Sequence, residues 1–210
     1  AQKAGGGGRD GVGEAGNQEV TGMIGGGHVR YPSLGTFTLT DAQPFFYRRP
    51  GGFRAHDGNI TNYARLREEL AESSVQVLST CDVEPMLLVF CEALMEQRKA
   101  DHTLDDVHQA LRTTVDKVEG AYTLVLAVRI DGQDALVTCR DPHGIRPGVW
   151  GESNGTFVAA SESVALDALH IPHRGDIPPG HALVLRAGQP PHFLEVARAD
   201  DCPTCVRGDY

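Results

Sequence analysis

No run of apolar residues in this 210-residue chain is long enough to cross a bilayer. The opening stretch AQKAGGGGRDGVGEAG also lacks an apolar core of the secretory type, so a cytoplasmic protein with no membrane partner is expected. Positive charge is scarce: 19 Lys and Arg stand against 28 Asp and Glu, a net charge of -9. That balance argues against nucleic acid as a primary partner, because Lys and Arg must neutralise its phosphates. Cysteines number five. Cys81, Cys91 and Cys139 sit in apolar patterns, where a free Cys acts as a small buried hydrophobe. Cys202 and Cys205 form a lone CxxC, short of the four ligands that a zinc or iron–sulfur site usually needs.

What is present describes an ordinary globular domain, with 40% hydrophobic and 22% charged residues. The length suits one domain with a substantial core. Residues 1–22 read as a Gly-rich start, 23–198 as the folded domain and 199–210 as a loose tail. Ile24 to Tyr31 reads as a strand entering a Pro-marked loop. Residues 43–49 and 52–56 are strand candidates across the turn signal Pro50-Gly51-Gly52. Three helices follow. Tyr63, Leu66 and Leu70 have helical spacing, with Asn59 or Thr61 as N-cap. Val83, Met86, Leu87, Phe90 and Leu94 form a stripe over about 82–97, with Asp82 at its mouth. Leu104 to Val118 starts at a capping box of Thr103 and Asp106. The apolar run from Ala121 to Ile130 is a buried strand ended by Asp131-Gly132. Further strands are expected at 135–140, 149–151, 156–160, 181–186 and 192–196, and a short helix at 161–169. His181 and His192 read as sheet-surface residues, not ligands. Strands, a helical block and more strands suggest helices packed on layered sheets.

Periodicity does not name a reaction, but three segments carry a resemblance. HVRYPSLG (28–35), AHDGNITNYARLREEL (55–70) and CRDPHGIRPGVWGE (139–152) are similar to the glutaminase domain of amidophosphoribosyltransferases. VEGAYTLVL (118–126) and ASESVALDALHIPHRGDIPPGHAL (160–183) support it. The order and spacing of RDPHGIRP and SESVALD separate this family from other class II glutamine amidotransferases. The resemblance implies an α+β fold: the αββα four-layer sandwich of N-terminal-nucleophile hydrolases, here lacking its first strands. It implies glutamine as substrate, with the ammonia passed to phosphoribosyl pyrophosphate in purine biosynthesis.

Residue by residue, Arg30 corresponds to the arginine that holds the α-carboxylate of glutamine, a task suited to a planar guanidinium. Asp82 corresponds to the aspartate that receives the α-ammonium group; its plain alternative is helix N-capping. Gly58 corresponds to a glycine whose N–H meets the oxyanion; its plain alternative is a turn glycine. The family also implies a homo-oligomer. It implies no cofactor within this domain, and an iron–sulfur cluster and Mg in some full-length members. Cys202 or Cys205 lies near the place of one cluster ligand.

The sequence departs from the family in three ways. The family's nucleophile is an N-terminal Cys with its own amine as base, whereas residue 1 is Ala1 and no Cys precedes Cys81. Asp57 stands where the family has an oxyanion-binding Asn. An ionised Asp only accepts hydrogen bonds, and loss of one oxyanion donor costs about 10²–10³ in turnover. The plain alternative for Asp57 is a turn residue. The phosphoribosyltransferase domain would follow residue 210, so phosphoribosyl pyrophosphate would be reached only through it. The expectation is an impaired glutaminase domain, marginally stable or oligomeric alone. The alternative is a degenerate, non-catalytic domain that binds glutamine or a protein partner.

Overall fold

The computed structural model describes residues 22–28, 41–48 and 51–198. The chain runs through β1 (Phe45–Arg48), β2 (Gly51–Ile60), α1 (Tyr63–Glu72), α2 (Val83–Met95), α3 (Leu104–Lys117), β3 (Gly120–Ile130) and β4 (Gln133–Arg140). It continues through β5 (Val149–Ser153), β6 (Thr156–Ala160), α4 (Ser163–Ala168), β7 (His173–Asp176), β8 (His181–Arg186) and β9 (His192–Glu195). Two antiparallel sheets result, one ordered β1-β2-β3-β4-β8-β9 and a smaller one ordered β6-β5-β7.

The period of two in the strands decides what each face of the large sheet meets. Ile60, Tyr122, Leu124, Leu126, Val137 and Val184 join a core with α1, α2 and α3. From α2 that core takes Met86, Leu87, Phe90 and Leu94, none of which reaches solvent. Each such side chain contributes roughly 1.5–3 kcal/mol by leaving water. The opposite face, at Leu136, Leu183 and Leu185, packs on Trp150, Phe157 and Ala159 of the small sheet. The helices thus cover one side of the large sheet and the second sheet covers part of the other.

Most expected elements form, and the differences have local causes. Gly51 and Gly52 belong to β2 instead of a turn, with Arg48 paired to Gly51. Gly52 is needed because β2 runs close to β3: a Cβ there would lie 2.0 Å from the Ala127 carbonyl oxygen. Residues 24–28 form no strand, and 29–31 lie outside the described residues. The N-cap of α1 is Asn62, not Asn59 or Thr61. Asn59 is inside β2, and Thr61 continues the pairing by donating its N–H to the Glu119 carbonyl. Asn62 caps nothing with its side chain; it links to Lys117 O and Glu119 N, tying the end of β2 to the α3–β3 corner. The capping box of α3 forms, and a hydrogen bond from Lys99 helps hold the Asp106 pKa down to about 2. β7 has the polar sequence HRGD, with no apolar alternation to announce it, and exists through its pairing to β5. Cys81, Cys91 and Cys139 are buried and form no disulfide among the described residues, and burial pushes the Cys139 thiol up to about 12.

Candidate functional site

The site residues gather where β2 runs out of neighbours. β1 pairs with β2 only from Gly51 to Arg54, whereas β3 pairs from Arg54 to Ile60. Beyond Arg54, therefore, no strand of the described residues lies beside one edge of β2. Residues opposite one another in an antiparallel pair alternate between bonded and non-bonded. Tyr122, opposite Gly58, directs its N–H to Asp141 Oδ2 and its carbonyl to the Asp141 N–H, both on the β4 side. Gly58 is consequently a non-bonded position, and its N–H turns to the open edge with those of His56 and Ile60.

Side chains serve two of these three amides. The His56 N–H donates to Gln43 Oε1 at 2.7 Å, and the Ile60 N–H donates to Asp82 Oδ2 at 2.9 Å. Between them, the Gly58 N–H has no acceptor among the described residues. Gly58 is a strand residue, so the turn reading is wrong for it and for its neighbour Asp57. Its φ of +150° and a Cβ position 2.0 Å from the Ala121 carbonyl oxygen leave room for glycine alone.

His56 is clamped at three points. Gln43 Nε2 lies 3.3 Å from its Nδ1, and His28 Nε2 lies 3.0 Å from its carbonyl oxygen. The amide of Gln43 donates to Nδ1, which leaves the proton on Nε2. Burial pushes the His56 pKa down to about 4, against the opposing pull of Asp82. The imidazole is therefore neutral at physiological pH.

Asp82 precedes α2, but its side chain makes no capping bond, so N-capping is not its role here. The turn that carries it is tightly built. Buried Glu84 accepts from the Leu78 and Ser79 N–H groups and the Ser79 hydroxyl. Buried Asp41 accepts from the N–H and hydroxyl of Thr80. One Asp82 oxygen holds Ile60; the other lies 3.7 Å from Cys81 Sγ.

The RDPHGIRP segment forms the second wall. Asp141 is fully buried and accepts from the N–H groups of Tyr122, His143, Ile145 and Arg146. Arg140 donates to the carbonyls of Gly144, Arg146 and Ile177. The loop is thus folded around its own first two residues. It delivers Arg146 Nη2 to 3.3 Å from Asp57 Oδ1.

Asp57, Gly58 and Asp82 are therefore brought to one stretch of β2. Arg30, Cys202 and Cys205 lie outside the described residues. Gln43, His28 and Arg146 have no role in the sequence reading. Gln43 lies outside every quoted motif; His28 and Arg146 lie inside HVRYPSLG and RDPHGIRP, which mark the family without giving either residue a role. A cavity of about 820 Å³, lined by Gly52, Phe53, Met95, Lys99, His102 and Val128, opens at the other end of β2. It contains none of the candidate residues. Among the described residues no group of His, Cys, Asp or Glu could hold a metal ion. No helix of the described residues is long and apolar enough to cross a membrane.

Comparison with known proteins adds an independent finding. A family model described as a glutamine amidotransferase domain matches residues 36–168. The amidophosphoribosyltransferase of Pseudomonas aeruginosa is 35% identical over 195 residues, covering 90% of this chain and 38% of that protein. That of Escherichia coli is 37% identical over 175 residues, covering 80% and 34%. The chain spans about a third of the length of these relatives. The solved structure of glutamine phosphoribosylpyrophosphate amidotransferase from B. subtilis, complexed with ADP and GMP, matches with a TM-score of 0.65 at 21% identity. It covers 81% of this chain and 34% of that one, and the likeness is one of mixed α+β fold.

Proposed function

From the premise that this chain belongs to the class II glutamine amidotransferase domain family, related to amidophosphoribosyltransferase, we propose that it is the glutaminase domain of such an enzyme, impaired at its reacting end. In this reading the whole protein, a cytoplasmic homo-oligomer, releases ammonia from glutamine for transfer to phosphoribosyl pyrophosphate in purine biosynthesis. Phosphoribosyl pyrophosphate, Mg and any iron–sulfur cluster, including a ligand from Cys202 or Cys205, belong to the protein beyond this domain. The two packed sheets with helices outside them fit the αββα arrangement of N-terminal-nucleophile hydrolases.

The observation that carries the proposal is the Gly58 N–H, which lies between two occupied amides and has no acceptor among the described residues. Attack on a carboxamide moves charge onto its oxygen, and a fixed backbone N–H stabilises that charge without reorganising. Asp82, at the next outward-facing position, supplies a carboxylate for the α-ammonium group. Arg30 takes the α-carboxylate. Asp57 weakens the reacting end, since a carboxylate accepts but does not donate. The domain therefore binds glutamine better than it hydrolyses it, and a purely glutamine-binding role is the second reading that Asp57 favours.

Calorimetric titration with L-glutamine tests the proposal. Saturable binding at millimolar ligand or below is expected, reduced at least tenfold in Asp82→Asn; a flat titration of the folded protein would refute it. Ammonia release at the rate of an intact glutaminase would refute the weakening assigned to Asp57.

A further inference from the structure

Asp57 places a negative charge beside the Gly58 amide, where the proposed chemistry needs a hydrogen-bond donor. The pair it makes changes that charge. Arg146 Nη2 lies 3.3 Å from Asp57 Oδ1, and the two side chains keep 43% and 36% of their exposure. A ligand can therefore still reach both groups.

The placement of Arg146 is built into the fold and differs in this from a chance surface pair. Its N–H donates to the buried Asp141 carboxylate at 3.1 Å, and its carbonyl accepts from Arg140 Nε at 2.6 Å. The next residue, Pro147, accepts the Thr123 hydroxyl at 2.6 Å, and Thr123 stands directly opposite Asp57 in the β2–β3 register. The loop is thus fastened to the strand that carries Asp57's partner. A guanidinium has five donors in a fixed fork, and one of them satisfies Asp57. Among the described residues no other hydrogen bond or ion pair occupies the remaining donors.

We propose that Arg146 is a positioning and specificity residue of this site: paired to Asp57, it cancels the carboxylate's charge and offers an N–H to the carboxamide oxygen that Gly58 also receives. The inference rests on the glutamine reading and refines it. Arg146 acts here because Asp57 is an acid. An amide at position 57 would donate on its own and make Arg146 dispensable.

The test is a double-mutant cycle on the full chain, with L-glutamine and L-glutamate titrated calorimetrically into the parent, R146A, D57N and D57N/R146A. R146A should weaken glutamine binding about tenfold when Asp57 is present and by less than about threefold in the D57N background, a coupling typical of contacting residues. Glutamate should suffer more than glutamine in R146A, by a further factor of about ten, because the bared carboxylate repels its side chain. R146K should recover the glutamate loss more fully than the glutamine loss, since it restores charge without the fork. A purely structural Arg146 would weaken both ligands equally and in both backgrounds, and that result overturns the inference while leaving glutamine binding standing. Glutamine bound by none of the four folded proteins overturns the glutamine reading and this inference with it. Should R146A lose its cooperative melt, R146K carries the same comparison.

Discussion

The two halves of β2 are built in different ways. From Gly51 to Arg54 the strand has β1 on one side and β3 on the other, and Arg54 is sealed between the rings of Tyr47 and Phe90 at 5.2 and 5.6 Å. From His56 to Ile60, among the described residues, it has β3 as its one neighbouring strand, and the other edge is served by Gln43, His28 and Asp82. Strand pairing satisfies every amide in a row. Side chains satisfy chosen ones and can leave one open, which is how a site can be cut into a sheet without exposing a whole edge.

Substitution of Gly52 or Gly58 in β2 is the strongest challenge to this contrast. Ala at either Gly52 or Gly58 would drive a Cβ to 2.0 Å from a β3 carbonyl oxygen, at Ala127 or Ala121. Each should cost about 5 kcal/mol, in the range of the most damaging single changes, measured by urea unfolding. If the halves differ as described, Gly52→Ala retains glutamine affinity in whatever fraction folds and Gly58→Ala does not. Next in size is Asp141→Ala, which strands four N–H donors, that of Tyr122 buried and those of His143, Ile145 and Arg146 part-buried. A loss of about 4 kcal/mol is expected, together with loss of the R146A effect on binding, because the loop no longer presents Arg146.

The third test is pH. Folded His56 stays neutral down to about pH 4, while an unfolded His takes a proton near pH 6.5. The unfolded state therefore binds the extra proton between those values. Stability is full above pH 6.5 and falls by about 3 kcal/mol as pH drops towards 4. Urea melts across this window should show that slope, and His56→Gln should flatten it; an unchanged slope in the variant would assign the titration elsewhere. The smallest effect expected is that of Gln43→Leu, about 2 kcal/mol for an amide left without its acceptor. Its mark is local: hydrogen exchange at the His56 N–H should accelerate, while that at Arg54 should not.

Much of the scaffold was legible in the residues. The stripe of α2, the Thr103–Asp106 capping box and the apolar run of β3 depend on neighbours a few positions away, and all three form. Asn62 was missed because its partners sit across the corner at Lys117 and Glu119, so its own helix offers no clue. Within the site, HDGN marked Asp57 and Gly58, and the mouth of α2 marked Asp82. The likeness of RDPHGIRP to the family was readable, but its physical work was not. Arg140 and Asp141 fold the loop around themselves, and only the folded loop brings Arg146 to Asp57.

The sequence by itself determined the family, the helical faces and the glycine at position 58, because motifs and periodicity are properties of nearby residues. The tertiary structure alone decided which amide of β2 has no acceptor among the described residues and which cation meets Asp57. Both outcomes follow from antiparallel register: a shift of one residue would turn the Gly58 N–H into the sheet and Asp57 to the helix side.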